Sequence, residues 1–262
     1  MSSIIKRITI PVLLALLVTT IAACNKENLD SEQALHVLLN GYNGTGNAWR
    51  ISIDTSEYRH NNYIIKPATV MGFNTVYTYR SQKERFMTVT DTVTKQVLLK
   101  KLLPATGTKA NFNFIYVDGH EVLVNPPVTD PATNKVGFYT HYTANNEPLD
   151  MFLYRKDANT GHEYRQYLAK AVKPNTWIYV DYIPGEYFDT KNLLDLSQIY
   201  FTKAGTTNQW AFQNNEEMSK ISAAGSGLPL AGEKGLVLPY FFINGSTKLE
   251  FSRLFFTPDR FN

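Results

Sequence analysis

Histidine, cysteine and carboxylate side chains could do chemistry in this chain, and their spacing sets what they could do. The five histidines are His36, His60, His120, His141 and His162. None stands at metal-ligand spacing from another histidine or from the single cysteine, Cys24. His120-Glu121 and His162-Glu163 are neighbours, but adjacent residues on a strand point to opposite faces, so neither dipeptide makes a site. Carboxylate pairs that hydrolyse glycosides need proximity in space, not in sequence. Asp150, Asp181 and Glu186 are candidates of that kind, and nothing in the sequence singles them out. Gly225-Ser226-Gly227 lacks the Gly-x-Ser-x-Gly spacing of a nucleophile elbow and the strand-to-helix context that goes with it. No phosphate loop or dinucleotide glycine fingerprint is present. Residues 130–134 and 189–195 carry oxygen side chains without regular calcium-ligand spacing, and turn formation explains them as well. The expectation is a non-catalytic protein without metal or cofactor.

Aromatic residues are the remaining chemical signal, at 13% of the chain with 16 Tyr and 15 Phe. Rings alternating along strands are core. Tyr58, Tyr63, Tyr142, Tyr164, Tyr167, Tyr187 and Trp210 instead sit in polar, loop-like sequence. Flat rings with polar neighbours suit sugars, whose C–H faces stack while their hydroxyls are bonded. A plainer reading is that Tyr is a good strand and rim residue with a polar handle. Trp210, in Thr206-Thr207-Asn208-Gln209-Trp210, is the first ligand-binding candidate, and Tyr142, beside Asn145 and Asn146, is the second. Trp210-Ala211-Phe212 also reads as an alternating strand, which would bury the ring.

Composition bounds the partners. Lys+Arg 26 against Asp+Glu 23 leaves a net charge of +3, too balanced for a nucleic-acid footprint. Hydrophobic residues at 44% exclude a disordered chain. One cysteine excludes a disulfide framework.

That cysteine closes a distinctive N-terminal segment. Lys6 and Arg7 precede an apolar run over residues 8–21, shorter in uninterrupted length than a membrane span and laid out like a secretory signal. The run ends in Ile21-Ala22-Ala23-Cys24, which resembles the lipobox of bacterial lipoproteins. The resemblance implies a diacylglyceryl group on the Cys24 thiol, cleavage before Cys24 and acylation of the new amine. More than one acyl chain makes a membrane anchor stable, at about 0.8 kcal/mol per buried CH₂. Asn25-Lys26-Glu27-Asn28-Leu29-Asp30 resembles the Lys/acidic sorting signals of Bacteroidota surface lipoproteins, and reads equally as a solvated tether. The expected location is the outer membrane, with the body on its surface or periplasmic face.

Beyond the tether the pattern is β. Trp49-Arg50-Ile51-Ser52-Ile53-Asp54 alternates as a half-buried strand does. Asn111-Phe112-Asn113-Phe114-Ile115-Tyr116-Val117 leads into Asp118-Gly119, a two-residue hairpin turn. Leu149, Met151 and Leu153 share one strand face, and residues 177–182 are rich in β-favouring types. Asn244-Gly245 between residues 236–243 and 248–257 predicts a hairpin. Residues 191–196 and 214–221 are the helix candidates, and residues 222–235 read as a loop. Three prolines within Asn125-Pro126-Pro127-Val128-Thr129-Asp130-Pro131 mark a boundary. A strand, polar loop, strand unit at residues 35–54 recurs at residues 136–154.

The expected organisation is a signal peptide at 1–23, a tether at 24–33, a β-sandwich at 34–125, a Pro-rich linker at 126–134, and a second β-sandwich with a C-terminal hairpin extension at 135–262. Leu38-Leu39-Asn40, Ile51-Ser52-Ile53-Asp54, Phe86-Met87-Thr88-Val89-Thr90-Asp91 and Gln96-Val97-Leu98-Leu99 resemble the tandem immunoglobulin-like domains of exported lipoproteins in the group labelled DUF4397. The resemblance covers roughly residues 34–185 and implies an all-β fold of two immunoglobulin-like sandwiches. It transfers no functional residue. Asp91-Thr92-Val93 also resembles the O-glycosylation signal of exported Bacteroidota proteins. The leading functional expectation is a binding or adhesion module for a glycan or protein partner. An accessory subunit of an envelope complex and an envelope hydrolase are the alternatives.

Overall fold

The computed structural model describes residues 32–54, 56–58, 63–80 and 83–258. Cys24 and the whole signal segment lie outside the described residues, as does His60.

Alternation builds the first half. In β1 (Gln33–Asn43), Leu35, Val37 and Leu39 are fully buried while Leu38 and Asn40 face the other way. Gly41 ends that regularity. A Cβ there would sit 1.8 Å from the Phe114 carbonyl oxygen, so only glycine lets the two backbones approach. The half continues through β2 (Trp49–Ile53), β3 (Ser56–Tyr58), β4 (Ile64–Ile65), β5 (Thr69–Tyr79), β6 (Phe86–Asp91), β7 (Val97–Leu102), β8 (Lys109–Val117) and β9 (His120–Glu121). One sheet has the order β5-β1-β8-β9, and the other β3-β2-β6-β7 with β4 also on β2. Trp49, Ile51, Ile53, Met87, Val89, Phe73 and Phe114 fill the core between them. Asp118-Gly119 is the expected turn, with positive φ at both residues and Val117 paired to His120.

The second half comprises β10 (Asn134–His141), β11 (Leu149–Lys156), β12 (Glu163–Val172), β13 (Ile178–Tyr182), β14 (Gln198–Lys203), β15 (Lys220–Ser222), β16 (Val237–Asn244) and β17 (Leu249–Arg253). Its sheets run β13-β10-β16-β17 and β12-β11-β14-β15. The two halves repeat one connectivity. In each, the first strand pairs antiparallel on one side and parallel on the other: β1 with β5 and β8, β10 with β13 and β16. In each, the second strand is flanked antiparallel by two others: β2 by β3 and β6, β11 by β12 and β14. The all-β, tandem-sandwich expectation holds. The connectivity is not the ABED and CFG division of immunoglobulin domains.

Two expectations need correction. The hairpin β16–β17 is no extension. β16 lies inside its sheet beside β10, and Leu238, Tyr240 and Phe242 are core residues. Residues 214–221 form no α-helix, only a 3-10 turn at Glu217–Ser219 before β15. Gln213 and Asn214 have positive φ, which stops a right-handed helix from starting there. Lys191–Asp195 is the short helix α1, N-capped by the Thr190 side chain, which accepts from the Leu193 N–H.

A third apolar cluster joins the halves. Tyr42, Ile115 and Val117 meet Tyr139, Phe241, Ile243 and Leu254, with the Tyr42 and Phe241 rings 5.5 Å apart. Asn113 Nδ2 donates to the Phe255 carbonyl at 3.2 Å and its Oδ1 accepts from the Phe255 N–H at 2.8 Å. The sheets β5-β1-β8-β9 and β13-β10-β16-β17 therefore face each other, and the other two sheets lie outermost.

Candidate functional site

The outer face of the sheet β12-β11-β14-β15 departs from its counterpart in the first half. In β2 the outward residues are Arg50 and Ser52, and β6 presents Thr88 and Thr90 beside them. Ser52 and Thr88 are direct partners whose hydroxyls bond each other. In the second half the outward pair is Phe152 and Tyr200. Their rings stack at 5.8 Å and 11°. Tyr167 on β12 extends the row, 5.5 Å from Phe152. Trp210 extends it on the other side, 5.4 Å from Tyr200. Four rings thus cross the sheet.

Trp210 reaches this face because its segment lies antiparallel on β14, with Thr202 and Trp210 bridged. Pairing with Thr202 puts Trp210 on the outer face, half-buried and outside the core, and the chain then turns over residues 211–214, which carries Phe212 inward, where it is fully buried. The reading of Trp210-Ala211-Phe212 as an alternating strand that buries Trp210 is corrected: residues 211–214 form a turn, and Phe212 is the buried ring.

A recess of about 270 Å³ opens beside Trp210. Phe152, Tyr154 and Tyr200 form its aromatic wall with Trp210, and Arg165, Glu163, Glu216, Thr207 and Asn208 supply polar groups. The Arg165 guanidinium lies 5.3 Å from the Phe152 ring and 5.5 Å from that of Tyr154. It also lies 3.7 Å from Glu163. Glu216 is fixed on the opposite side. The Tyr200 hydroxyl donates to Glu216 Oε1 at 2.9 Å, and Lys220 Nζ donates to the same oxygen at 3.2 Å. These two bonds hold the Glu216 carboxyl below its ordinary pKa. Burial, then the bond to Glu216, push the Tyr200 hydroxyl up to about 12. At neutral pH the recess therefore presents a fixed carboxylate, a guanidinium and a neutral phenol around an aromatic wall.

Tyr142 does not join it. Its ring is 8% exposed and packs 4.9 Å from Phe212, edge to face, within the core. Its apolar body outweighs the polar loop sequence that follows it, so the expectation of an exposed loop ring is corrected. Tyr164 and Tyr187 stack at 4.1 Å, away from this row, with Arg155 over Tyr164. Tyr63 packs on Phe73.

The other candidate groups have structural partners of their own. Asp150 is buried and accepts from the Ala171 and Gly205 N–H groups. Asp181 pairs with Lys135 at 2.7 Å on the other sheet of the half. Glu186 bonds Tyr187 in the β13–α1 connection. Ser226 is fully buried. The Thr92 hydroxyl donates to the Ala48 carbonyl, and Asp91 accepts from the Val93 and Thr94 N–H groups, so Asp91-Thr92-Val93 is a bonded turn. His141 Nε2 lies 3.6 Å from Asp118, and burial lowers the His141 pKa more than that carboxylate raises it. Among the described residues, no group of three or more His, Cys, Asp or Glu could hold a metal ion. Among them, too, no helix is long and apolar enough to cross a membrane.

Comparison with known proteins adds little to this geometry. No family model matches the chain, so the likeness to DUF4397 gains no support there. No curated protein matches it either. Among solved structures, a candidate cell adhesion protein from Bacteroides uniformis aligns over 83% of this chain and 96% of its own, at 12% identity and a TM-score of 0.31.

Sequence reasoning found Trp210 and Tyr167 and missed Phe152, Tyr154, Tyr200, Arg165 and Glu216. The signal was available in the alternation. Leu149, Met151 and Leu153 mark the inward face of β11, so Phe152 and Tyr154 must point outward.

Proposed function

We propose that this chain is a non-catalytic binding module of the bacterial cell envelope, and that the recess beside Trp210 receives a sugar ring of a glycan. The observation that carries this reading is the contrast between corresponding pairs on two equivalent faces: Ser52 and Thr88 on one, Phe152 and Tyr200 within a row of four rings with a charged rim on the other. Trp210 stays half exposed, so one sugar face can stack on it while Asn208, Thr207, Arg165 and Glu216 bond hydroxyls. The recess is too small for a folded protein segment and suits one or two rings. Lipid on Cys24 would tether the module to the outer membrane, where glycans are within reach.

A glycan array probed with the lipid-free chain from residue 25 onward tests the reading, wild type beside Trp210→Ala. Hits that disappear in Trp210→Ala support it. Hits that survive the substitution, or an array without hits, refute it.

A further inference from the structure

A second, chemically different recess opens on the first sandwich. It measures about 470 Å³ and lies where residues 83–85, the end of β7 and the start of β8 meet. Its walls are apolar: Leu102, Leu103, Pro104, Ala105, Ala110 and Phe112. Arg85 also lines it and is only 4% exposed.

The position of Arg85 is set by its backbone and by a ring. Its carbonyl accepts from the Leu103 N–H at 2.8 Å. Its guanidinium lies across the Tyr79 ring, 3.3 Å from the centroid. Nη2 donates to the Pro104 carbonyl at 3.3 Å. Nε and Nη1 are buried and have no hydrogen-bond partner. Stacking on Tyr79 satisfies the face of the guanidinium and leaves its N–H edge unsatisfied. A buried cation without an anion is costly, and most such groups are paired. An anion seated in the recess that Arg85 lines would supply the missing charge.

We propose that this recess binds a monoanionic carboxylate carried on an apolar group, with Arg85 holding the carboxylate. Guanidinium and carboxylate match in plane and can share two hydrogen bonds. The apolar walls select the body of the ligand. Arg85 and Lys83 against Glu84 leave the lining with a net charge of +1, which suits a singly charged anion better than a doubly charged one such as phosphate. Two sources carry this chemistry, a free aliphatic acid and the C-terminus of a peptide ending in an apolar residue. The site is independent of the recess beside Trp210.

Calorimetric titration of the lipid-free chain tests this with hexanoate against hexanamide, and with a leucine-terminated tripeptide as free acid against its amide. Binding of either acid, with its neutral counterpart weaker by about tenfold or more, supports the proposal. The acid that binds names the source. Arg85→Met should abolish the preference for acid over amide, Arg85→Lys should keep part of it, and Trp210→Ala should leave it intact. Equal binding of acid and amide to the wild type, or no binding of either acid, overturns it. That comparison needs no variant, so it decides the matter even if Arg85→Met fails to fold. Undiminished acid preference in a folded Arg85→Met also overturns it.

Discussion

Replacing Trp49 and Trp210, two of the three tryptophans, by alanine separates a core ring from the ring beside the recess. Trp49 is fully buried in the first sandwich, touches Phe114 at 5.4 Å and Tyr116 at 6.0 Å, and its Nε1 donates to Thr45 at 3.1 Å. Truncating such a ring leaves a cavity, at a cost of about 3–5 kcal/mol. Trp210 is half-buried, outside every core cluster, and keeps one ring neighbour, Tyr200. Its segment is held by backbone bonds that alanine keeps, Ala211 N–H to Phe201 and Lys203 N–H to the Gln209 carbonyl. Roughly half the core cost, about 2 kcal/mol, is expected. Loss of a stacking ring should at the same time cost about 1–3 kcal/mol of glycan binding. Urea unfolding followed by circular dichroism, which does not depend on the tryptophans removed, measures both stabilities. If Trp210→Ala proves as destabilising as Trp49→Ala, Trp210 is a structural ring and the recess loses its anchor.

Three further outcomes are expected. Cys24→Ser should abolish incorporation of labelled palmitate and release the chain from membranes; membrane partitioning that persists, with no label in the wild type, would remove the lipobox reading. Limited proteolysis should cut near Val128, which is 87% exposed in the proline-rich connection, and the fragments should co-elute because the Tyr42, Tyr139 and Phe241 cluster holds the halves together. Separation of the fragments on gel filtration would show that the cluster is too weak for that. Asp91 accepts bonds from Thr94, Asn47 and Val93 that hold its carboxyl below the ordinary aspartate range, so it stabilises the fold above that range and ceases to as pH falls through the lowered value. Asp91→Asn should therefore lower the melting temperature at neutral pH and narrow its gap to wild type in strong acid; a gap constant with pH would assign the effect to geometry instead of charge.

Strand positions were readable because their alternation is strict where one face is buried. Ile51, Ile53, Met151 and Leu153 announce their strands, and Asp118-Gly119 announces its turn. Sheet partners were not readable. β16 sits parallel to β10 across about a hundred residues of sequence, and nothing in a local pattern encodes such a pairing. The hairpin signal at Asn244-Gly245 therefore suggested an appended unit where the structure has a central strand. The helix at 214–221 was overestimated because the Glu216 to Lys220 spacing is real, and the pair does form, but on a turn. Tyr142 was misplaced because sequence neighbours describe the loop and not the ring, which turns inward onto Phe212. Trp210 was readable as a candidate because it stands in polar sequence. The rings that complete its recess come from β11 and β14, which only the fold brings beside it.

The repeated connectivity narrows where a ligand can bind. Each half has two sheets, and one face of each is spent on its own core. The cluster of Tyr42, Ile115, Tyr139 and Phe241 covers a second face on β5-β1-β8-β9 and on β13-β10-β16-β17. The broad faces left to solvent are those of β3-β2-β6-β7 and β12-β11-β14-β15. On the first, Ser52 and Thr88 satisfy each other between Arg50 and Thr90, and Phe86 on the same side is covered by Lys100, 4.4 Å over its ring. On the second, the corresponding pair is Phe152 and Tyr200, a face that costs solubility unless something covers it. Arg165, Tyr167 and Trp210 cover that pair, leaving Phe152 1% and Tyr200 8% exposed, and Lys170 stands 3.9 Å over Tyr167. The remaining gap beside Trp210 is the recess. A scaffold used twice thus carries a hydroxyl pair on one outer face and a ring pair at the corresponding place on the other, a difference made by the chemistry of two strands.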